Sequence, residues 1–313
     1  MENLTHTLVG LMMARCGLEK TTVRGAGMMM LAANAPDVDA VFWFNRLHYL
    51  DYHRSYAHSF AFAPLIALLP MVLVRAQFSW KSYGAAVAGV LSHLLLDWTN
   101  PYGIQLLLPF SHRRLMLDIT NIADVWIWAI LFVGLLAPLL VKMATKGAPS
   151  IGMPARVAWA GIALSALVTY EGARFALHAK AVEMLESRIY RGVAPQQAIA
   201  VPADFVHPVL WKGIVRGAGF ATLVPLDVQD AYDPALERTF DDPPPNDPAV
   251  KAARRLPEFQ SMIRFSQAPF WITTPVADGT LVELMDLRYG TPDDPGFAVV
   301  SSVVPRDVSG TAR

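Results

Sequence analysis

Histidine and aspartate stand four residues apart in the stretch SHLLLDWTNPYG, residues 92–103, inside an otherwise apolar run. Residues at this spacing share one face of a helix, so His93 and Asp97 can contact each other or bind one metal ion. A single pair of this kind is equally compatible with a hydrogen bond that fixes two helices together. Its interpretation therefore depends on the other polar residues of the sequence.

Further residues of metal-binding types occur within the first hundred positions. Together with the first pair they make seven candidate ligands: His6, Asp37, Asp39, His53, His58, His93 and Asp97. If the apolar runs alternate in direction across a membrane, all of these fall at the same outward end. Ionisable groups at membrane depth are costly, so this convergence favours a metal site over chance.

The ligand types restrict the metal. Cys16 is the single cysteine, which excludes an intrachain disulfide and a cysteine-rich zinc site. Imidazole and carboxylate ligands suit Zn, with Mn or Fe as alternatives. The candidates outnumber the four ligands of a closed structural zinc. Two interpretations stay open: two metals, or one metal with an open position and a surrounding shell of orienting residues.

Hydrolysis is the chemistry that such a site would support, because a divalent cation lowers the pKa of bound water toward neutrality. Asp37 and Asp39 follow Pro36 on a turn, where one carboxylate can ligate and the other orient. We expect Asp39 to act also as general base. Arg54 is the candidate for stabilising anionic substrate oxygens, with contact to a lipid headgroup as its equally open alternative.

We interpret the remaining polar residues of interest as structural. Ser59 is expected to cap a helix, since no nucleophile motif surrounds it. The stretch PFSHRRL is expected to form an interfacial anchor, with phosphate contact as the alternative. Its cationic residues are His112, Arg113 and Arg114. Three histidines without comparable neighbours are interpreted as ordinary surface or core residues: His48, His178 and His207.

The elements that must position these residues are strongly apolar. Hydrophobic residues make up 54% of the chain, charged residues 17%, and the mean hydropathy is +0.34, which indicates a membrane protein. The apolar runs lie at about 4–18, 23–36, 59–75, 82–98, 122–141 and 157–177. The last two approach the ~20 residues of a spanning helix, whereas the first two are short enough to be tilted or re-entrant.

Charge indicates orientation and partners. Basic residues concentrate after the first, third and fifth runs, which places those loops in the cytoplasm and the site on the periplasmic face. Arginines on the other connections weaken this bias. The formal net charge is zero, so membrane lipid is the expected partner and nucleic acid is not.

The sequence changes character near residue 177. An amphipathic helical stretch around Lys180 is followed by short alternating runs, such as APFWITTPV and TLVELMDLRYG, separated by Pro, Asp and Gly clusters. We therefore predict an α-helical polytopic membrane domain of about five or six helices over 1–177. A small, mixed α/β, mainly antiparallel-sheet soluble domain is predicted over 178–313, on the same side as the site.

Five motifs in order carry a resemblance: NLTHTLVG, NAPDVD, HRSYAHS, SHLLLDWTNPYG and PFSHRR. They resemble the bacterial inner-membrane-associated, metal-dependent hydrolases of the YdjM-like family, labelled LexA-binding in some naming. The resemblance covers about residues 1–175, and the C-terminal region is similar to the extension of longer members. It implies a polytopic inner-membrane hydrolase in which the seven candidate ligands occupy the family's polar positions.

A phosphoester or lipid-linked substrate is the favoured hypothesis, because a site at the membrane interface meets lipid headgroups. Two alternatives stay open. In one, the protein is non-catalytic and its polar residues join helices or bind metal for structure or transport. In the other, it is a membrane-anchored binding or regulatory module whose sheet domain recognises a partner.

Overall fold

The structure, a computed structural model, describes residues 1–42, 46–144, 153–296 and 298–305. The chain forms two compact units. The first comprises Met1–Trp43, Tyr52–Ala176 and Asp204–Pro208, and the second comprises Phe44–Asp51, Leu177–Ala203 and Val209–Arg313. A segment of the N-terminal half thus belongs to the second unit, which no feature of the sequence indicated.

Helices build the first unit, as predicted for the N-terminal half. They are α1 (Asn3–Arg15), α2 (Gly25–Ala32), α4 (Ala63–Ile66), α5 (Leu68–Leu73), α6 (Trp80–Thr99), α7 (Val125–Ala144) and α8 (Met153–Glu186), whose last turns lie in the second unit. Two 3-10 segments, Ala35–Phe42 and Tyr56–His58, carry candidate site residues. The short helix α3 (Arg46–Tyr52) connects them.

Two predicted runs differ in detail from the observed helices. The run 59–75 contains α4 and α5, which meet at Ala67, instead of one continuous helix. Pro70 explains the break, because proline has no N–H to bond to the carbonyl of Ile66 one turn earlier. The amphipathic stretch after Lys180 is the last part of α8, so it is not a separate helix.

Among the residues that the structure describes, no single helix has both the length and the apolar composition needed to cross a membrane. One pair of helical segments, Tyr49–His58 and Ala63–Leu73, meets that requirement jointly, with a bend of 85° between them.

Antiparallel sheets dominate the second unit, as predicted. Four strands pair in sequence order: β1 (Gln197–Pro202), β2 (Leu210–Gly217), β3 (Phe220–Asp227) and β4 (Arg238–Asp241). Three more form a second sheet: β5 (Pro269–Val276), β6 (Gly279–Asp286) and β7 (Val299–Pro305). Two helices precede β5 in the chain, α9 (Pro248–Ala253) and α10 (Pro257–Phe265).

Close helix packing brings α6 against α2 in the first unit. A Cβ atom added at Gly89 would lie 2.7 Å from the Cβ of Ala32, nearer than two carbon atoms can approach. Gly10 of α1 meets the backbone of Met29 in the same way. Glycine at these positions therefore lets three backbones approach closely, as small residues do in membrane helix pairs. This approach sets the position of His93, one turn after Gly89.

We expect Gly89→Ala to lower the free energy of unfolding by about 1–3 kcal/mol, since the added methyl group overpacks the contact with α2. Thermal unfolding in detergent, followed by circular dichroism, measures the change. Gly84→Ala is the matched control on the same helix, because no heavy atom lies within 4 Å of its added Cβ. Equal stability of the two variants would contradict the prediction.

Candidate metal centre

Helix α6 provides two of the candidate ligands. A capping box between Ser79 and Ser82 begins the helix, and 20 residues later it ends before Asn100. His93 and Asp97 lie one turn apart on the same face, as the sequence predicted, and both are fully buried. The face that α6 turns toward α2 therefore places an imidazole and a carboxylate inside the helical unit.

Four donor atoms from three elements meet at this face. The Nε2 atoms of His58 and His93 are 3.2 Å apart. His58 Nε2 lies 3.4 Å from Asp37 Oδ1 and 3.6 Å from Asp97 Oδ2. His93 Nε2 lies 3.6 Å and 3.4 Å from the same two oxygens. Asp37, with 17% of its side chain exposed, is the donor that faces solvent.

Each of the two histidines has an acceptor oxygen close to its other ring nitrogen. His93 Nδ1 lies 2.7 Å from the carbonyl oxygen of Ala33, which can only accept a hydrogen bond. His58 Nδ1 lies 2.9 Å from Asp39 Oδ2. With its one proton on Nδ1, each neutral imidazole would present the lone pair of Nε2 to the other imidazole and to two carboxylates. This arrangement is the one in which metal-binding histidines are oriented by partners behind them.

The spacing of the donors fits a tetrahedral ion. Four ligands at about 2.0–2.1 Å from a zinc ion lie about 3.3–3.4 Å from one another when they occupy tetrahedral corners. The five separations that involve an imidazole nitrogen run from 3.2 to 3.6 Å and bracket that value. Among the described residues, none donates a well-directed hydrogen bond to Asp97 Oδ2. The donor set therefore fits a divalent cation.

Asp39 lies behind this group and connects two histidines. Its Oδ1 is 2.9 Å from His53 Nδ1, and its Oδ2 accepts the backbone N–H of Arg54 at 3.0 Å in addition to facing His58. Asp37, Asp39 and His53 also form a second group whose donor atoms lie within 4.8 Å of one another. The two-metal interpretation stays open, although it requires Asp39 to exchange hydrogen bonds from imidazoles for a metal bond.

Arg54 supplies a buried cation beside the donors. Its Nε lies 3.0 Å from Asp97 Oδ2, and its Nη1 donates to Asn100 Oδ1 at 2.8 Å. Its backbone φ is +59°, a left-handed conformation that costs a non-glycine residue about 1–3 kcal/mol. The hydrogen bond from its N–H to Asp39 holds that conformation. The Met1 amino group contacts Asp97 Oδ1.

His6 lies beside the four donors without joining them. Its ring stacks on His93 with centroids 3.7 Å apart, and its Nε2 is 3.5 Å from Asp97 Oδ1. Its Nδ1 is buried and has no hydrogen-bond partner among the residues that the structure describes. All seven predicted ligands are therefore gathered in one region, in which four donor atoms lie within 4.8 Å of one another and three further residues surround them.

The three cationic residues of the stretch PFSHRRL differ in burial. Arg114 is buried, and its guanidinium donates to the carbonyl oxygens of His53 at 2.9 Å and Gly103 at 3.1 Å. It therefore supports the turn that carries His53, whereas the sequence predicted an interfacial anchor. His112 and Arg113 are exposed.

One further residue of the site, Asn100, was not predicted, and three histidines were predicted to lie outside the site. Asn100 accepts a hydrogen bond from Arg54. The sequence offered one indication of this role, because Asn100 lies in the same motif as His93 and Asp97. His207 pairs with Asp204 on the surface, and His178 contacts the ring of Trp211. The side chain of His48 lies outside the described residues.

The carboxylates are held in their ionised form. Burial by itself would raise the pKa of Asp37, but the nearby imidazole of His58 and the other neighbouring imidazoles lower it to about 2. The pKa of Asp39 is lowered against burial by its bonds with His53 and His58. Burial lowers the pKa of His53 below its usual value, although Asp39 opposes this. At neutral pH this part of the site offers anionic carboxylates and a neutral imidazole, as cation binding requires.

The N-terminal region matches one known family. The sequence model described as YdjM inner membrane protein covers residues 1–181. This chain belongs to the YdjM inner membrane protein family. The match confirms the resemblance found in the motifs and agrees with the expectation of an inner-membrane protein. Searches of curated proteins and of solved structures found no match.

We expect Asp39→Asn to weaken metal binding by about ten- to hundredfold, because an amide cannot accept protons from both His53 and His58. Competition with a chelator, followed by elemental analysis of the purified protein, measures the affinity. Asp204→Asn is the matched control, since it alters an exposed Asp–His pair. Unchanged metal affinity in Asp39→Asn would contradict the orienting role.

Proposed function

We propose that this chain is a membrane-embedded, metal-dependent hydrolase. The observation that supports this function best is the tetrahedral set of lone-pair donors with the buried Arg54 guanidinium beside it. Asp37, His58, His93 and Asp97 would hold the ion, with Zn favoured by their chemistry and spacing. When bound, such an ion acts as a Lewis acid and lowers the pKa of a coordinated water.

The surrounding residues have separate roles in this proposal. Asp37 lies on the accessible side, so substrate approaches from there. The guanidinium of Arg54, fixed by Asp97 and Asn100, would stabilise negative charge that develops on substrate oxygens. Asp39 remains the candidate general base. Its carboxylate faces the Nδ1 atoms of both His58 and His53, so it is placed to move a proton between the buried and the more exposed imidazole.

A phosphoester or lipid-linked substrate is the class that we favour. A planar guanidinium matches the oxygens of a phosphoryl group. Membership of an inner-membrane family supports a substrate that reaches the site from the lipid headgroup region. The proposal therefore concerns a charged headgroup, with the apolar part of the substrate remaining in the bilayer.

We propose a multi-pass topology with the site and the C-terminal domain on the periplasmic face. The family description supports the inner membrane, and α7 provides an apolar stretch over Val125–Val141. Exposed leucines on α7 support contact with lipid, since large apolar side chains in water are unfavourable. They are Leu136, Leu139 and Leu140.

A structural metal site is the second candidate. Structural zinc sites have four protein ligands, whereas catalytic sites have three and keep one position open. The present set has four donors and therefore favours this alternative on number alone. Exposure of Asp37 and the presence of Arg54 favour catalysis. Tight metal binding without turnover of any phosphoester, ester or amide would support the structural function.

We expect the purified wild-type protein to contain bound metal and to hydrolyse a phosphoester in a panel of chromogenic and lipid-linked substrates. Arg54→Ala should lower kcat/KM about a hundredfold or more, because a preorganised cation is lost. Metal content, measured by elemental analysis, should change little. Arg113→Ala, which removes an exposed arginine, is the control and should act like wild type.

Protease access tests the proposed orientation. We expect a C-terminal tag after residue 313 to be removed in spheroplasts and protected in inverted vesicles, because the domain faces the periplasm. Retention of the full-length chain in carbonate-washed membranes checks that it is embedded. Digestion from the cytoplasmic side alone would overturn the orientation.

A further inference from the structure

The residues that follow α6, NPYGIQ at 100–105, form a tight loop in the first unit. The helix ends before Asn100, and Pro101 has no N–H with which to continue it. The side chain of Asn100 accepts a hydrogen bond from the backbone N–H of Tyr102 at 3.0 Å, which closes an Asx turn. Gly103 then adopts a φ of +74°, a left-handed conformation that glycine tolerates without strain. The backbone of this loop is therefore fixed by its own sequence.

Three contacts join the loop 100–105 to Arg54. Asn100 Oδ1 accepts a hydrogen bond from Arg54 Nη1 at 2.8 Å. The backbone N–H of Gln105 donates to the carbonyl oxygen of Arg54 at 3.1 Å. The guanidinium carbon of Arg54 lies over the ring of Tyr102, 4.7 Å from the ring centroid. The loop therefore holds both the backbone and the side chain of a residue whose left-handed conformation depends on its surroundings.

The ring of Tyr102 is itself held from several sides. Tyr102 is 6% exposed. The guanidinium carbon of Arg114 lies 5.6 Å from its ring centroid, and the ring of His53 meets it at a centroid distance of 5.6 Å and an angle of 68°. Arg114 also donates to the carbonyl oxygens of Gly103 and His53. Movement of the ring would therefore require the loop to separate from the turn that carries His53.

The ring gives Arg54 a support that its oxygen partners cannot give. Arg54 Nε faces Asp97 Oδ2 at 3.0 Å, and Nη1 bonds to Asn100, so these oxygens hold the guanidinium at its edge. A planar group held at an edge can still tilt about that edge. An aromatic face attracts the flat side of a guanidinium and leaves its N–H donors to oxygen atoms. Tyr102 therefore fixes the plane of the cation.

We infer that Tyr102 is a positioning residue that fixes the orientation of the Arg54 guanidinium beside the donor set. The ring carries this role, and the hydroxyl group does not, because the contact is made with the face of the ring. This inference rests on the proposed function for its catalytic meaning. It also assigns a task to the NPYG part of the motif that contains His93 and Asp97.

Tyr102→Leu and Tyr102→Phe, made in the full-length protein, separate the ring from the hydroxyl group. Leucine keeps an apolar side chain without a π-face, whereas phenylalanine keeps the ring. Tyr232→Leu is the matched control in the second unit. Tyr232 is 8% exposed, and the guanidinium carbon of Arg188 lies 4.6 Å from its ring centroid. Circular dichroism checks that each variant is folded.

The first readout is the NMR signal of the Arg54 Nε–H group in protein that contains isotope-labelled arginine. Arg54→Lys removes this signal and thereby assigns it. Protons above an aromatic face are shielded, so we expect the signal to move downfield in Tyr102→Leu. It should stay near its wild-type position in Tyr102→Phe and in Tyr232→Leu. An unchanged signal in Tyr102→Leu, or an equal displacement in Tyr102→Phe, would overturn the inference.

The second readout is hydrolysis of the phosphoester that the wild-type protein accepts. We expect Tyr102→Leu to lower kcat about tenfold with little change in KM, because a misplaced cation stabilises the transition state less well. Tyr102→Phe should restore kcat. In an Arg54→Ala background, Tyr102→Leu should have almost no further effect, since the ring then has no guanidinium to hold. Additive effects of the two changes would overturn the inference that Tyr102 acts through Arg54.

The two readouts distinguish failure of the inference from failure of the proposed function. A wild-type protein that hydrolyses no phosphoester, ester or amide would refute the proposed function, while the NMR signal would still decide whether Tyr102 orients Arg54. A displaced Arg54 signal in Tyr102→Leu together with an unchanged kcat would overturn the link between this orientation and hydrolysis.

Discussion

Four atoms with lone pairs, on Asp37, His58, His93 and Asp97, come close together inside an apolar helical unit. The packing around them has to hold these mutually repelling atoms in place. Two imidazole nitrogens lie 3.2 Å from each other and 3.4 to 3.6 Å from each of two carboxylate oxygens, of which the one on Asp37 faces solvent. Burying a carboxylate costs several kcal/mol unless charged or hydrogen-bonding groups compensate, as Arg54 does for Asp97. A cation at their centre would offset the repulsion between the lone pairs, so we expect folding and metal binding to be coupled.

The two histidines of the donor set are oriented by partners of different rigidity. His93 is oriented by a backbone carbonyl, which cannot move without unwinding the end of α2. His58 is oriented by Asp39, a side chain that also contacts His53 and the backbone of Arg54. One half of the site is therefore set by helix packing through Gly89, and the other half by a network of turn residues. The strain at Arg54 lies in the second half, where a functional residue is commonly found.

This division also bears on the choice between a structural and a catalytic metal. The deep half, with His93 and Asp97, resembles a site built for stability, because both residues are fully buried. The turn half contains Asp37 on the accessible side, a cationic side chain and a chain of polar contacts from His58 to His53. Membership of the YdjM inner membrane family places these features in a membrane context without specifying a reaction.

Local patterns were enough to predict that His93 and Asp97 share one face of a helix, because helical spacing is a local property. The sequence also indicated helices in the N-terminal half and antiparallel strands after residue 177, since alternation and turn residues are local signals too. Tertiary structure alone decided which donors meet. Asp37 and His58 meet His93 because the segment 35–42 packs on both α6 and the segment 56–58. Asp39 lies on the same segment 35–42, and His6 lies on α1, which also packs on α6. The assignment of α3 to the C-terminal unit was equally hidden, because a contact between Asp51 and Arg264 spans 213 residues and leaves no periodic trace in the chain.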